Sequence, residues 1–528
     1  MSGNIARRRF LGYSAASAAA VMLGTGAWST NAARAAVFAG TPFTLGVASG
    51  DPSPDGAVLW TRLAPDPLAA DGLGGVAGTA PIAVEYEVAE DSAFTVVVQR
   101  GTVHATRELG WSVHPEISGL RPWRLYWYRF RSGGHISQAG KFKTAPAANT
   151  MALQLRFAFA SCASYEGGRY TAYYYLAKED IDLVVFLGDY IYEYGVTSTA
   201  HHYDIPLPSY MAAKCTDLAR FRLQYALHKL DPNLRNAHAN AAWIMTYDDH
   251  EVEDGFAADL SKYGTDPAVF RQMRAEAYQA MYENLPLRQS QVPSGPSIGI
   301  HRRLQYGLLA DFTMLDTRQY RTDQPVCSTP ACPERFDPGA TMLGAAQKQW
   351  LMDGLTTSQA RWKIVGNQLP MAETDRDDTA AKVVWTDPWD GYVAERNAIL
   401  GQARTAGVKN LVVVTGDRHT NYVMDLETTY ENTRGVKVGT EFVGTAISTM
   451  GDRDPAAMAA IAATYRRANP HMKWCDMLHG YSRVTVTAAQ LTNEFRTVPY
   501  IEVTGGRVST KATFVVQHGV PGAQAASV

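Results

Sequence analysis

Four short apolar runs, each breaking off in metal-ligand side chains, constrain this 528-residue chain more than any other feature. Residues 155–160 run into Ser161-Cys162, and residues 183–187 run into Gly188-Asp189-Tyr190-Ile191-Tyr192. Residues 241–246 lead to Asp248-Asp249-His250-Glu251, and residues 411–414 lead to Gly416-Asp417-Arg418-His419. Short apolar runs bounded by Gly read as buried strands. Open α/β sheets carry their sites at the carboxyl edge of such strands. Four ends bearing Cys, Asp, Tyr and His therefore predict one convergent metal site.

The residue types narrow the chemistry. Gly188 lets the backbone turn sharply, so that Asp189 and Tyr192 can converge on one ion. A carboxylate has two oxygens and can bridge two metals. A phenol, with a pKa of about 10, gives up its proton only to a strong Lewis acid. Thiolate from Cys162 with phenolate from Tyr192 argues for a redox-capable iron rather than magnesium alone. The competing reading makes Asp189 a helix cap and Tyr192 a core residue. Asp417 and His419, two apart, read either as inward-aimed ligands or as a turn Asp and a surface His. Burying the acids of the block 248–251 without counter-charge would cost roughly several kcal/mol. Cations, or a neighbouring guanidinium such as Arg418, would resolve that. His201-His202 reads as a solvated pair and His479 as a satisfied core histidine.

Residues 1–35 read as an export signal rather than as fold. Ala6-Arg7-Arg8-Arg9-Phe10-Leu11 is a basic twin-arginine start, residues 12–33 carry no charge, and Ala33-Arg34-Ala35 offers small residues for cleavage. The stretch is too weakly apolar for a convincing membrane span, and no later stretch of the mature chain reads as one. The expected location is periplasmic or extracellular, reached through the twin-arginine machinery. A formal net charge of −2 gives no reason to expect nucleic acid as a partner. Of five cysteines, Cys327 and Cys332 suit a short local disulfide in an oxidising compartment. Cys215 and Cys475 are available for a second. Cys162 is left over; an unpaired Cys is commonly a small buried apolar residue, but at a strand end it is also a candidate thiolate ligand.

With 46% hydrophobic residues, the chain has material for a large core, and its length suggests roughly three domains. Residues 40–147 carry short strand-like pieces at 57–62, 82–88, 95–103 and 126–130. Their spacing predicts an all-β sandwich of immunoglobulin or fibronectin kind. Residues 144–150 read as a linker. From 151 to 518 the pattern becomes α/β: strands at 155–160, 183–187, 362–365 and 411–414, with helical stretches at 169–178, 210–236, 266–283 and 392–406. Segments 481–487, 492–496 and 513–516 read as closing antiparallel strands.

The blocks Gly188-Asp189-x-x-Tyr192, Asp249-His250-Glu251 and Gly416-Asp417-Arg418-His419 resemble, in order, those of the purple-acid-phosphatase-like metallophosphoesterases. Residues 46–52, 159–162, 316–321 and 389–392, together with the twin-arginine start, resemble the PhoD-like alkaline phosphatase family more closely still. That resemblance implies a four-layer αββα catalytic sandwich behind the β domain, and an iron(III)–calcium centre. Cys162, Asp189, Tyr192 and His419 would hold Fe3+; Asp189, Asp249 and Asp417 would hold Ca2+. Cys162 stands where the wider superfamily has an Asp-x-His block, and Glu253-Asp254 stands where relatives often carry Asn-Asn. The implied activity is phosphoesterase, on small phosphate monoesters or diesters, with His250, Arg418 and Arg169 as candidate catalytic groups. The alternatives are a phospholipase D-type phosphodiesterase acting on phospholipids or other diesters, and an exported phosphate- or metal-binding protein without turnover.

Overall fold

The computed structural model describes residues 38–528 apart from Ser198, Ala200, Pro330, Ala331, Ala380, Ala381 and residues 432–434. The expected export segment lies outside the described residues. Two large mixed sheets face each other, and a smaller antiparallel sheet of five strands lies to one side. In the first large sheet, Leu155–Ala160, Leu183–Leu187 and Ala242–Thr246 are parallel neighbours. In the second, Ala310–Met314, Trp362–Asn367, Leu411–Thr415 and Lys437–Val443 are parallel neighbours.

The near-continuous apolar strands are explained by burial on both faces. Phe157, Phe159, Leu183, Val185, Leu187 and Ile244 point inward and meet Phe312, Ile364, Val412 and Val414 of the second sheet. Their alternating neighbours Ala158, Ala160, Val184, Phe186, Trp243 and Met245 point outward into a helical layer. Val365, Leu411 and Val413 likewise point outward, toward the helices of the other layer. The result is the expected helix–sheet–sheet–helix order, since strand side chains alternate with a period of two.

Helix starts follow local chemistry. Asp231, Asp266 and Asp454 each accept backbone N–H groups at a helix N-terminus, with proline in the first turn. The stretch 210–236, expected as one helical region, divides into Leu218–Lys229 and Pro232–Asn240 because Asp231-Pro232 interrupts it. Helices Gly344–Thr357 and Pro455–Ala468 were not anticipated. The strand pair Val47–Ser53 and Gly56–Arg62 joins the first large sheet through a parallel contact at Gly50 and Trp243. Ile82–Ala89, Val97–Ala105 and Leu125–Ser132 form the separate small sheet. The predicted linker is tied down at its start: Ala145 is buried in the core between the large sheets.

Of the cysteines, Cys327 and Cys332 form the local disulfide. Cys215 and Cys475 do not form the second one. Both are free and buried, Cys215 in the core on the outer side of the first large sheet and Cys475 in the core outside the second.

The two sheets touch at the edge that carries the site. Ser161 bridges Ala446, and Ile447 N–H donates to the Ser161 carbonyl at 3.0 Å. A Cβ at Gly416 would lie 2.8 Å from both Cβ and Oγ of Ser161. Gly416→Ala should therefore destabilise the protein by about 1–3 kcal/mol through overpacking. Denaturant titration checks this, and an unchanged midpoint would contradict the closeness of the sheets.

Candidate metal centre

Cys162, Asp189 and Asp417 each sit two residues beyond a strand, and Asp249, His419 and Tyr192 three to five, where the chain must turn to aim them. Cys162, Asp189, Asp417 and His419 all have left-handed backbone, with φ of 61°, 57°, 64° and 52°. Asp tolerates this region; Cys and His adopt it at a cost of about 1–3 kcal/mol, which persists only where surroundings enforce it. Here they do. Cys162 N–H donates to the Gly188 carbonyl at 3.1 Å and Ala163 N–H to the Asp189 carbonyl at 2.8 Å. The buried Glu251 carboxylate accepts N–H groups of Asp189 at 3.1 Å, Tyr190 at 2.6 Å and Asp248 at 2.9 Å. One side chain thus clamps two strand ends together.

The ligand atoms of Cys162, Asp189 and His419 lie within 4.8 Å of one another, as do those of Asp189, Asp249 and His250. Asp189 belongs to both groups. Tyr192 joins the first: its hydroxyl donates to Asp189 Oδ2 at 3.1 Å and lies 3.3 Å from His419 Nε2. Thr449 Oγ1, 2.8 Å from the Tyr192 hydroxyl, donates to the Cys162 carbonyl. Asp417 is outside both tight groups but close enough for its charge to act on Cys162 and Asp248.

The electrostatics fit a cation. Burial, then the charge of Asp189, pushes the Cys162 thiol far up. Burial first, and the neighbouring Asp189 and Cys162, do the same to the Tyr192 phenol. Burial raises the Asp189 carboxyl well above the usual range, and Asp249 and Asp248 add to it against the pull of His250. Burial raises Asp417 to about 6 despite Arg418. His419 is held neutral by burial and by Arg453, with Arg418 and His250 contributing. The buried atoms Asp189 Oδ1 and Asp249 Oδ1 have no hydrogen-bond partner. Metal ions would satisfy both orphaned oxygens and reverse the proton preferences of Cys162, Tyr192, Asp189 and Asp417, while His419 is already in the neutral form that a metal binds. The residues present therefore fit a metal centre.

Two groups of consequence were not assigned roles from the sequence. Arg318, fully buried, pairs with Asp248 at 2.6 Å, approaches Asp249 at 3.6 Å and binds Asp387 at 2.9 Å. It supplies the counter-charge to Asp248 that had been expected from a neighbour such as Arg418. Arg418 instead lies 3.5 Å above the Trp385 ring. The second group is Glu193, completely buried, whose Oε2 accepts His250 Nδ1–H at 2.8 Å. Burial opposes charge on His250, but Asp249, Asp189 and Glu193 together hold its pKa well above the ordinary value. Arg169 lies 3.5 Å from exposed Asp204 and over the Tyr203 ring, with its Nε buried and without a hydrogen-bond partner. His201 and His202 are half-buried rather than solvated, and His479 is buried with Nε2 2.9 Å from the Thr449 carbonyl oxygen.

Comparison with known proteins decides the family. Residues 157–495 match the family model described as PhoD-like phosphatase, and residues 28–146 match that of the PhoD-like phosphatase N-terminal domain. The chain belongs to the PhoD-like phosphatase family. It is 41% identical over 498 residues to alkaline phosphatase D of Bacillus subtilis (strain 168), covering 93% of this chain and 83% of that protein. A solved structure of PhoD superposes with a TM-score of 0.86 at 40% identity, covering 93% of each chain. A purple acid phosphatase from yellow lupin (Lupinus luteus) seeds shares the fold at 13% identity, with a TM-score of 0.50 over 89% of this chain and 73% of that one. The N-terminal β region and the facing mixed sheets are thus those of PhoD-like phosphatases.

Removing the Arg318 guanidinium strands Asp248 in the interior. Arg318→Met should cost about 3–5 kcal/mol, the scale of breaking a buried ion pair. Adding Asp248→Asn should recover part of that loss. A double variant as unstable as the sum of the two single variants, in denaturant titrations, would show that the pair does not act as a unit.

Proposed function

We propose that this protein is an exported, metal-dependent phosphoesterase of alkaline phosphatase D type, releasing phosphate from monoesters, diesters or both. The observation that carries the reading is the pair of ligand groups sharing Asp189, each with an orphaned buried carboxylate oxygen. Membership of a phosphatase family supports the same chemistry. The soft and anionic donors Cys162 and Tyr192, with Asp189 and His419, suit Fe3+. Asp189, Asp249 and Asp417 offer only oxygen, which suits Ca2+. Bound there, the ions would polarise phosphate oxygens and lower the pKa of an attacking water.

The chain's own residues do the rest. Glu193 fixes the His250 ring through Nδ1, leaving Nε2 to donate a proton to the departing alkoxide oxygen. Tyr192, its ring 4.2 Å from that of His250, limits the imidazole's rotation. Arg418, next to Asp417, can neutralise non-bridging phosphate oxygens; its forked donors suit phosphate geometry. Export through the twin-arginine pathway belongs to this proposal on the strength of the sequence at residues 6–35. So does the division into a sandwich at 40–147 and a catalytic unit at 151–518; the apolar core of the first takes in Ala242, and Val47–Ser53 and Gly56–Arg62 extend the first large sheet. No helix among the described residues is long and apolar enough to cross a membrane.

Stripping metal with chelators should abolish phosphate release from a panel of monoesters and diesters, and re-addition of iron and calcium should restore it. Full activity in metal-free protein would refute the reading. Substituting His250→Gln should lower kcat by about 10²–10⁴-fold while metal content, measured by elemental analysis, stays unchanged. Cys162→Ser should lose iron selectively and with it the visible absorption of a thiolate- or tyrosinate-ligated ferric ion. Retained iron and colour would remove Cys162 from the ligand set.

A further inference from the structure

We infer that Thr449 is a positioning residue for the metal centre: its one hydroxyl proton turns from the Cys162 carbonyl to the Tyr192 oxygen when that oxygen is bound as phenolate. The inference rests on the reading of Tyr192 as a ligand of Fe3+. Thr449 Oγ1 lies 2.8 Å from the Cys162 carbonyl oxygen and 2.8 Å from the Tyr192 oxygen, placed to donate to either. A hydroxyl has one proton to give and two lone pairs. Ser164 N–H, at 3.2 Å, takes one lone pair. The single proton therefore has two acceptors, and they belong to two different candidate iron ligands.

The charge on the Tyr192 oxygen decides which acceptor wins. As a phenol, Tyr192 donates its own proton to Asp189 Oδ2 at 3.1 Å, and the Cys162 carbonyl holds the Thr449 proton. Metal binding releases the phenol proton to solvent, while Thr449 keeps its own and only re-aims it. The phenolate oxygen then carries charge, and a hydrogen bond to a charged acceptor is roughly twice as strong as a neutral one. Among the described residues its other polar neighbours are Asp189 and His419. Both are candidate ligands and bring no proton, so Thr449 is the donor left. The Cys162 carbonyl is not stranded by the turn, because N–H groups of Ser448 and Thr449 stay at 3.3 and 3.4 Å.

The backbone around the hydroxyl is fixed. His479 Nε2–H donates to the Thr449 carbonyl at 2.9 Å, and Ser448 Oγ donates to the Ser164 carbonyl at 2.6 Å. Gly167 admits the segment: a Cβ there would lie 2.2 Å from the Ser448 carbonyl oxygen. Met450, next in the chain, takes a left-handed φ of 79°, a strain that persists only where the surroundings enforce it. A donor held this firmly draws electron density from the phenolate and leaves the ferric ion a stronger Lewis acid.

Visible absorption and resonance Raman spectra of the iron- and calcium-loaded protein test this. Thr449→Val keeps the side-chain shape and loses the hydroxyl. Its phenolate-to-iron band should move to longer wavelength, and kcat should fall about tenfold. Thr449→Ser, which keeps the hydroxyl, should restore the band. In the wild type the phenolate C–O stretch should shift between light and heavy water, because its hydrogen-bond donor carries an exchangeable proton. A stretch unmoved by exchange would overturn the inference without any variant, and so would a Thr449→Val protein with the wild-type band. A loaded wild type with no tyrosinate band at all would overturn the reading of Tyr192 as an iron ligand together with the inference.

Discussion

Negative charge gathered at the sheet edge has to be compensated, and the rest of the site is arranged around that requirement. Asp189, Asp248, Asp249 and Glu251 lie within five chain positions of two adjacent strand ends, and all four are buried. Protein groups compensate Glu251 fully and Asp248 through one of its oxygens. Arg318 takes Asp248, and three backbone N–H groups take Glu251. Asp189 and Asp249 are each left with a bare buried oxygen, as is Asp248 at Oδ2; Asp189 belongs to both ligand groups and Asp249 to one. The internal cation thus neutralises Asp248 and backbone N–H groups hold Glu251, while Asp189 and Asp249 are free to take metal.

The same economy explains the backbone. Left-handed φ at Cys162, Asp189, Asp417 and His419 turns each strand end inward within two to four residues. A longer loop would reach the same point but would hold the ligand less rigidly. The clamp by Glu251 and the seam between Ser161, Ala446 and Gly416 keep these turns in place. The β region at the N-terminus contributes at a distance, extending the first sheet beyond Ala242–Thr246 through Val47–Ser53.

Much of this was legible in the sequence because the governing signals are local. A buried strand reads as an apolar run, and Gly188 or Gly416 at its end marks the turn. Periodicity therefore located the four strand ends and, through them, the ligands that the structure brings together. What escaped depends on long-range pairing. Arg318 meets Asp248 across 70 residues, and Glu193 meets His250 across 57. No spacing rule links them. The Cys215–Cys475 bridge failed for a related reason, since counting thiols says nothing about which sheet face each one occupies. The helix Pro455–Ala468 was a different kind of miss. Asp454-Pro455 is a readable start signal, but the Ala-rich stretch after it is only half-buried, with Ala462 and Tyr465 packing on the core outside the second sheet, so its apolar side is small and easily missed.

The central claim is that the buried acid cluster is stable only when cations occupy it. Thermal unfolding of metal-loaded and metal-stripped protein tests this directly, in the wild type and in an Asp189→Asn/Asp249→Asn variant. The account predicts that stripping lowers the wild-type Tm by several degrees. It also predicts that the stripped variant is more stable than the stripped wild type, because its uncompensated charge is gone. A stripped wild type that melts with the loaded one, and above the stripped variant, would contradict it.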